Sequence, residues 1–202
     1  MVTDDFKEKI ESRIADYETR SSVEFVPVIV QTSGDYGSVK IYLSLLVALL
    51  VLLGWHVRPG AWGAEIEALT ALATGLAVFA LLGIPSLLRA FVPAKLMHIE
   101  VEEAAAASFL REEVFSTRKR TGLLIFISVF ERSVFIVADK GITSVVPAAE
   151  WAGLGQRLAQ DFARGNPGVT FLSALDEVVA KLANKFPPDA DNPDELSNRV
   201  RH

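Results

Sequence analysis

The sequence predicts a small α/β domain whose chain is interrupted, between its first strand and its next helix, by a transmembrane hairpin. Three observations predict it. Two long apolar segments, Val39–Val57 and Ala68–Leu88, stand in the first half. Three runs rich in β-branched residues lie outside them, at 23–30, 122–130 and 133–139. Amphipathic helical patterns flank these runs, and the single helix and strand before the apolar segments are too little to fold alone.

In chain order, Asp4–Arg20 reads as a first helix, with Thr3 as its cap and Asp4 and Asp5 at its positive end. Phe6, Ile10, Ile14 and Tyr17 fall on one face of it. The strand Val23–Val30 follows, and Pro27 assigns it to a sheet edge or a strand end, because proline donates no ladder hydrogen bond. Residues 31–38 lead into the first span.

Past Lys40 the first span carries no Asp, Glu, Lys or Arg, and neither does Ala68–Leu88. A 19-residue helix is about 28 Å long, close to the thickness of bilayer hydrocarbon. Ile41–Leu53 is apolar or small on every face, whereas a core helix in so small a protein keeps a polar stripe. Lys40 stands at the start of the first span and Arg89 and Lys95 follow the second, and the short loop between the spans holds Arg58 against Glu65 and Glu67. The positive-inside tendency then places both termini and the soluble domain at the cytoplasmic face of an inner membrane. Tyr42, Trp55, Trp62 and Phe91 sit at or near span ends, where aromatic rings favour the headgroup zone, and Pro85 falls near the end of the second span.

After Pro93 a helix is expected over His98–Ser116, then a basic turn at Thr117–Thr121. Gly122–Phe130 is a near-continuous apolar run, as in a strand buried on both faces. Glu131 and Arg132 turn it into a second run, Ser133–Asp139, to make a hairpin. Pro147 opens a helix with Trp151, Leu154, Leu158 and Phe162 on one face, ending at Gly165. Asn166-Pro167 starts the last helix, whose apolar face is Leu172, Leu175, Val179, Leu182 and Phe186. The organisation is residues 1–38, a hairpin at 39–92, the rest of the domain at 93–186, and a loose polar tail at 187–202. Three strands form one small sheet with helices on both sides, and the first strand completes the sheet made by the later two. That requires both flanks on one side of the membrane, which two spans satisfy.

The residues at 117–142, from Thr117-Arg-Lys-Arg-Thr-Gly to Ala138-Asp-Lys-Gly-Ile142, resemble the central hairpin of the TPM domain family. That family takes its name from thylakoid-lumen phosphatase and photosystem-repair members. The resemblance extends through Glu150-Trp151, Phe162–Gly165 and Lys185–Pro188, and upstream through Tyr17–Val26. It implies an α/β/α sandwich, and association with calcium binding, with acid phosphatase activity in some members, and with assembly or repair of membrane complexes in others. Many relatives enter the central strand through an Asp-Asn-Gly type of turn. This chain has Lys119-Arg120-Thr121-Gly122 there, a basic turn that repels a hard cation.

The chemistry-bearing residues are few. Cys is absent, so there is no disulfide framework, thiol catalyst or zinc-thiolate site. The net charge of −5 argues against nucleic acid as a partner. His56, His98 and His202 have no metal-ligand spacing, and no nucleotide-binding or serine-elbow motif occurs. Asp139, Glu131 and Glu150 are the candidate catalytic acids. Asp139 is the foremost of them, since it ends a central strand where α/β sheets place ligands. Asp35 and Asp139 are the candidate ligands for Ca2+ or another divalent cation. Arg118, Lys119 and Arg120 are the candidates for a phosphoryl group or anionic lipid headgroups. The expected function is a membrane-anchored interaction or assembly module without enzymatic activity, its partners the lipid bilayer and a membrane protein complex. The alternatives are a metal-dependent acid phosphatase and a calcium-binding domain.

Overall fold

The structure is a computed structural model that describes the chain apart from residues 1–3, 58–62, 165–166, 183–184, 189–194, 197–198 and 202. The expected Thr3 cap, the loop around Trp62, and the Gly165 stop with its Asn166 cap lie outside the described residues. The elements are α1 (Asp4–Glu18), β1 (Glu24–Val30), α2 (Gly37–His56), α3 (Ala64–Leu81), α4 (Pro85–Phe91), α5 (Ala94–Arg111), a 3-10 turn (Val114–Ser116), β2 (Gly122–Ser128), β3 (Ser133–Ala138), α6 (Lys140–Thr143), α7 (Ala148–Arg164) and α8 (Pro167–Leu182). They form two compact units, residues 1–33 with 98–202, and residues 34–97.

The first unit is a three-stranded sheet in the order β1-β2-β3. β1 runs parallel to β2, with Glu24 opposite Gly122 and Val30 opposite Ser128, and β3 runs antiparallel to β2. Parallel neighbours require a crossover connection of a dozen or more residues. The two apolar helices lie within that connection in sequence, so they interrupt the domain where a long connection is needed anyway. β2 is buried at every position, which is why its sequence shows no alternation.

Strand alternation sends side chains to both faces of the sheet. Phe25, Ile29, Leu123, Ile125, Ile127, Val134 and Ile136 meet Ile10, Ile14 and Tyr17 of α1, Trp151, Leu154 and Leu158 of α7, and Leu175 and Leu182 of α8. On the other face Val26, Val28, Leu124 and Phe126 meet Val101 and Ala105 of α5 and Val114. The result is the α/β/α layering expected. Truncating a fully enclosed side chain such as Ile14 or Leu123 to alanine costs about 2–5 kcal/mol.

The α1 face is tied to α8 by Tyr17, whose hydroxyl donates to Asp176. Burial, and then that hydrogen bond, push the Tyr17 phenol above its ordinary pKa. The neutral form is favoured in the folded state, so this contribution is full below about pH 10 and is lost as pH rises through the raised value. A denaturant series across alkaline pH should show a fall in stability that is shallower in Tyr17→Phe. The variant itself should cost about 1 kcal/mol at neutral pH.

Two boundaries differ from expectation. The helix before β2 is α5, ending at Arg111, because Glu113 adopts a left-handed conformation and a 3-10 turn follows. The short α6 was not anticipated; Asp139 caps it by accepting from the Lys140 N–H. The tail also differs. Arg201 forms a parallel bridge with Val28, donating its N–H to Pro27 O at 3.0 Å and accepting from Ile29 N–H at 2.9 Å. Its guanidinium pairs with Glu112 at 2.7 Å, and Val200 is buried. Tail composition is polar, but β1 offers an open row of backbone groups on that side, and Pro27 has no N–H to leave unpaired there.

In the second unit, α2 and α3 pack on each other through small residues. Ser44, Ala71 and Gly75 are the buried positions, and a Cβ on Gly75 would lie 3.1 Å from that of Ala48. The hydroxyls of Ser44, Thr70 and Thr74 donate to carbonyls of their own helices. Both helices are long and apolar enough to cross a membrane, and most of their large side chains point outward, Leu45 at 61% and Leu69 at 64% exposure. The second apolar segment is two helices rather than one. α3 stops at Leu81, and Pro85 is the first residue of α4, a position that needs no N–H donor. Phe91 therefore ends α4, not the long helix.

Candidate functional site

Asp139 follows the last residue of β3, and its side chain is 3% exposed. Both its oxygens are engaged. Arg120 Nε donates to Oδ2 at 2.7 Å, Arg120 Nη2 to Oδ1 at 3.0 Å, and Lys140 N–H to Oδ1 at 2.7 Å. The hydrogen bond to Asp139 pushes the Arg120 guanidinium above its ordinary pKa. The local backbone is shaped for this fork. Arg120 is left-handed at φ 57°, and its carbonyl accepts from Gly141 N–H at 2.9 Å. A Cβ at Gly141 would meet the Lys119 and Arg120 carbonyl oxygens at 2.5 and 2.6 Å. The basic turn that stands in place of an acidic one thus neutralises the foremost candidate acid. A bidentate guanidinium leaves Asp139 ill placed to attack phosphorus or to ligate a hard cation.

Arg118 is also paired, to Glu195 at 3.3 Å, and its N–H donates to the same carboxylate at 2.8 Å. Lys119 is exposed beside it. Arg118 and Arg120 are thus each held by a carboxylate of the domain.

A carboxylate in a short hairpin turn is ordinarily solvated, yet Glu131 is 3% exposed. Its carboxylate accepts from Ser128 Oγ, from Ser33 N–H at 3.0 Å and from Thr32 Oγ1 at 3.2 Å. It fastens the β2–β3 turn to the chain leaving β1, while Arg132 supplies the left-handed turn position. Glu150 lies in the first turn of α7 and pairs with Lys181 of α8 at 2.8 Å; that hydrogen bond holds its carboxyl below the usual range. Asp35 accepts from Gly37 N–H at 2.8 Å, at the start of α2. Among the described residues, no group of three or more His, Asp or Glu side chains could hold a metal ion.

Tyr42 is 71% exposed, Phe91 is 53% exposed, and Trp55 lies in the last turn of α2. Trp62 lies outside the described residues.

One feature escaped the sequence reading. Alongside β3 runs a cavity of about 710 Å³, lined by residues 133–136, by His98 of α5, and by Trp151, Gly155 and Gln156 of α7. His98 stacks obliquely on Phe135, with ring centres 6.4 Å apart. The cavity lies where it does because β3 is the last strand of the sheet among the described residues.

Residues 91–181 match the TPM domain family. The match takes in α5 through most of α8 and leaves out α1 and β1, which complete the sheet and one helical layer. Among solved structures, the NMR structure of BA42 protein from the psychrophilic bacterium Bizionia argentinensis superposes with a TM-score of 0.60. The alignment covers 100% of this chain and 94% of that one at 18% identity, a likeness of fold. No curated protein matches the chain.

Proposed function

We propose that this chain, a member of the TPM domain family through residues 91–181, is a membrane-anchored interaction or assembly module at the cytoplasmic face of an inner membrane, without enzymatic activity of its own. The observation that carries this reading is the state of the candidate acids. Asp139 is locked by Arg120, Glu131 by the β2–β3 turn, and Glu150 by Lys181. Each has a structural task that a catalytic or metal-binding role would disrupt. The anchor is supported by two outward-facing apolar helices inserted in a connection whose ends return to one sheet. A partner would be a membrane protein complex, met by a domain held close to the bilayer, with the basic surface at 118–120 toward anionic headgroups.

Two measurements test this. Purified full-length protein, assayed on p-nitrophenyl phosphate with Mg2+, Mn2+ or Ca2+, should turn over no faster than Asp139→Asn. Metal-dependent turnover lost in the variant would replace this reading with a phosphatase. Because the chain has no Cys, single cysteines report topology cleanly. Ser38→Cys and Ser173→Cys should label from the cytoplasmic side and Ala64→Cys from the opposite side. Labelling of Ser38→Cys and Ser173→Cys from opposite sides would refute the anchor as described.

A further inference from the structure

The two edges of the sheet are finished differently. Along β1, Arg201 exchanges hydrogen bonds with Pro27 and Ile29, so the chain closes that edge itself. Along β3 nothing comparable happens. Asp139 N–H donates to Gly122 O at 3.0 Å, and these two residues continue the β2–β3 register. In an antiparallel ladder this makes Ser133, Phe135 and Val137 the residues bonded to β2. Val134, Ile136 and Ala138 then turn their N–H and C=O groups away from the sheet, and among the described residues none of these groups has a hydrogen-bond partner. The strand, Ser-Val-Phe-Ile-Val-Ala, has no charge, no proline and no bulge, three of the devices by which natural edges are blunted, although α7 closes on it at Val134.

The surroundings are those of a built groove. The cavity beside the strand is bounded by α5 on one side and α7 on the other. At Gly155 the missing side chain lets α7 pass beside Val134, where a Cβ would lie 2.8 Å from the carbonyl oxygen. Trp151, 3% exposed, lines the same cavity, and its buried Nε1–H has no acceptor. A buried indole N–H ordinarily finds a partner. α7 thus covers the Val134 carbonyl, and the site presents the outward N–H and C=O groups of Ile136 and Ala138 beside an apolar trough.

We propose that the β3 edge captures an extended segment of a partner protein as a fourth strand. The occupant is identified by its backbone. Outward N–H and C=O groups recurring at every second residue are complementary to another extended chain and to little else. Its side chains alternate, apolar residues entering the trough and polar ones facing water. This rests on the interaction-module reading and deepens it by giving the partner's chemistry and its place of docking.

The test uses the full chain in lipid nanodiscs. A random dodecapeptide phage library is panned against it, with empty nanodiscs as counter-selection, and enriched peptides are made with a fluorescein label for anisotropy. Enriched sequences should alternate apolar and polar residues. Methylating alternate backbone nitrogens should abolish binding with every side chain retained. Ile136→Pro deletes an outward N–H without touching the β2 ladder, and Ala159→Phe narrows the groove without touching the strand. Each should weaken binding about ten-fold or more. If Ile136→Pro fails to fold, Ala159→Phe and the methylated peptides decide the matter. No enrichment over empty nanodiscs overturns the proposal, as does binding indifferent to methylation and to both groove variants. A dimer that Ile136→Pro dissociates would make the occupant a second copy of this chain and overturn it equally. Peptides that bind elsewhere sink the edge site and leave the interaction-module reading standing. Phosphatase turnover sinks that reading without altering what the peptides report.

Discussion

Gly122→Ala is expected to destabilise the protein by about 3 kcal/mol or more, among the largest effects of any conservative substitution in the chain. An alanine Cβ there would lie 1.9 Å from the Val114 carbonyl oxygen and 2.8 Å from Val114 Cγ1. Neither neighbour can give way. Val114 is fully buried in the 3-10 turn, and Gly122 is held in register opposite Glu24 at the start of the central strand. Relief would have to come from sliding β2 or the turn, and either would disturb the side chains on both sheet faces. Thermal melts of the full chain should show a midpoint lower by roughly 6–12 °C. Gly153→Ala is the control. It lies within α7 with nothing inside 4 Å of an added Cβ, so it should stabilise by about 0.5–1 kcal/mol through helix propensity. Equal effects at the two positions would show that the close approach at Gly122 is not rigid.

Glu131→Ala is expected to cost about 2–4 kcal/mol, from a residue whose sequence context is an ordinary hairpin turn. The loss has a definite source. Ser33 N–H, Thr32 Oγ1 and Ser128 Oγ all donate to this carboxylate, and the enclosed turn offers no equivalent acceptor. Glu131→Gln retains one acceptor oxygen and should lose roughly half as much. Urea unfolding monitored by circular dichroism separates this from the solvated-turn reading, under which either substitution would cost less than about 0.5 kcal/mol. Ser33 is also the last residue before the apolar unit begins, so Glu131 fixes the point at which the chain leaves the sheet.

Much of the architecture was legible because it rests on local pattern. The unbroken apolar run Leu123–Ile127 identifies a strand buried on two faces, and Pro27 identifies an edge. The joining of β1 to the later strands followed from an argument about size: a helix and one strand cannot bury enough surface to stand alone. Local pattern failed where long-range partners decide. Pro85 sits inside an apolar run whose hydropathy does not change across it, so only the backbone records that one helix ends and another begins. The tail was read as loose from its polar composition, yet Arg201 finds the open side of β1 and a carboxylate on Glu112.

The candidate site divides the same way. Residue types and their order along the chain were enough to single out Asp139, Glu131 and Arg118–Arg120, because strand ends and turns are marked by short-range signals. What those residues do was not available from them. A carboxylate's role depends on which donors surround it, and Arg120 reaches Asp139 across nineteen positions while Ser33 reaches Glu131 across ninety-eight. The open β3 edge is more extreme, since an unpaired hydrogen bond leaves no mark in sequence. By itself the sequence determined an α/β domain, the two apolar segments within it and the strands' identities, all set by periodicity and burial. Only the tertiary structure decided which acids are locked, which edge is closed and which is open, because those outcomes are fixed by pairings between distant residues.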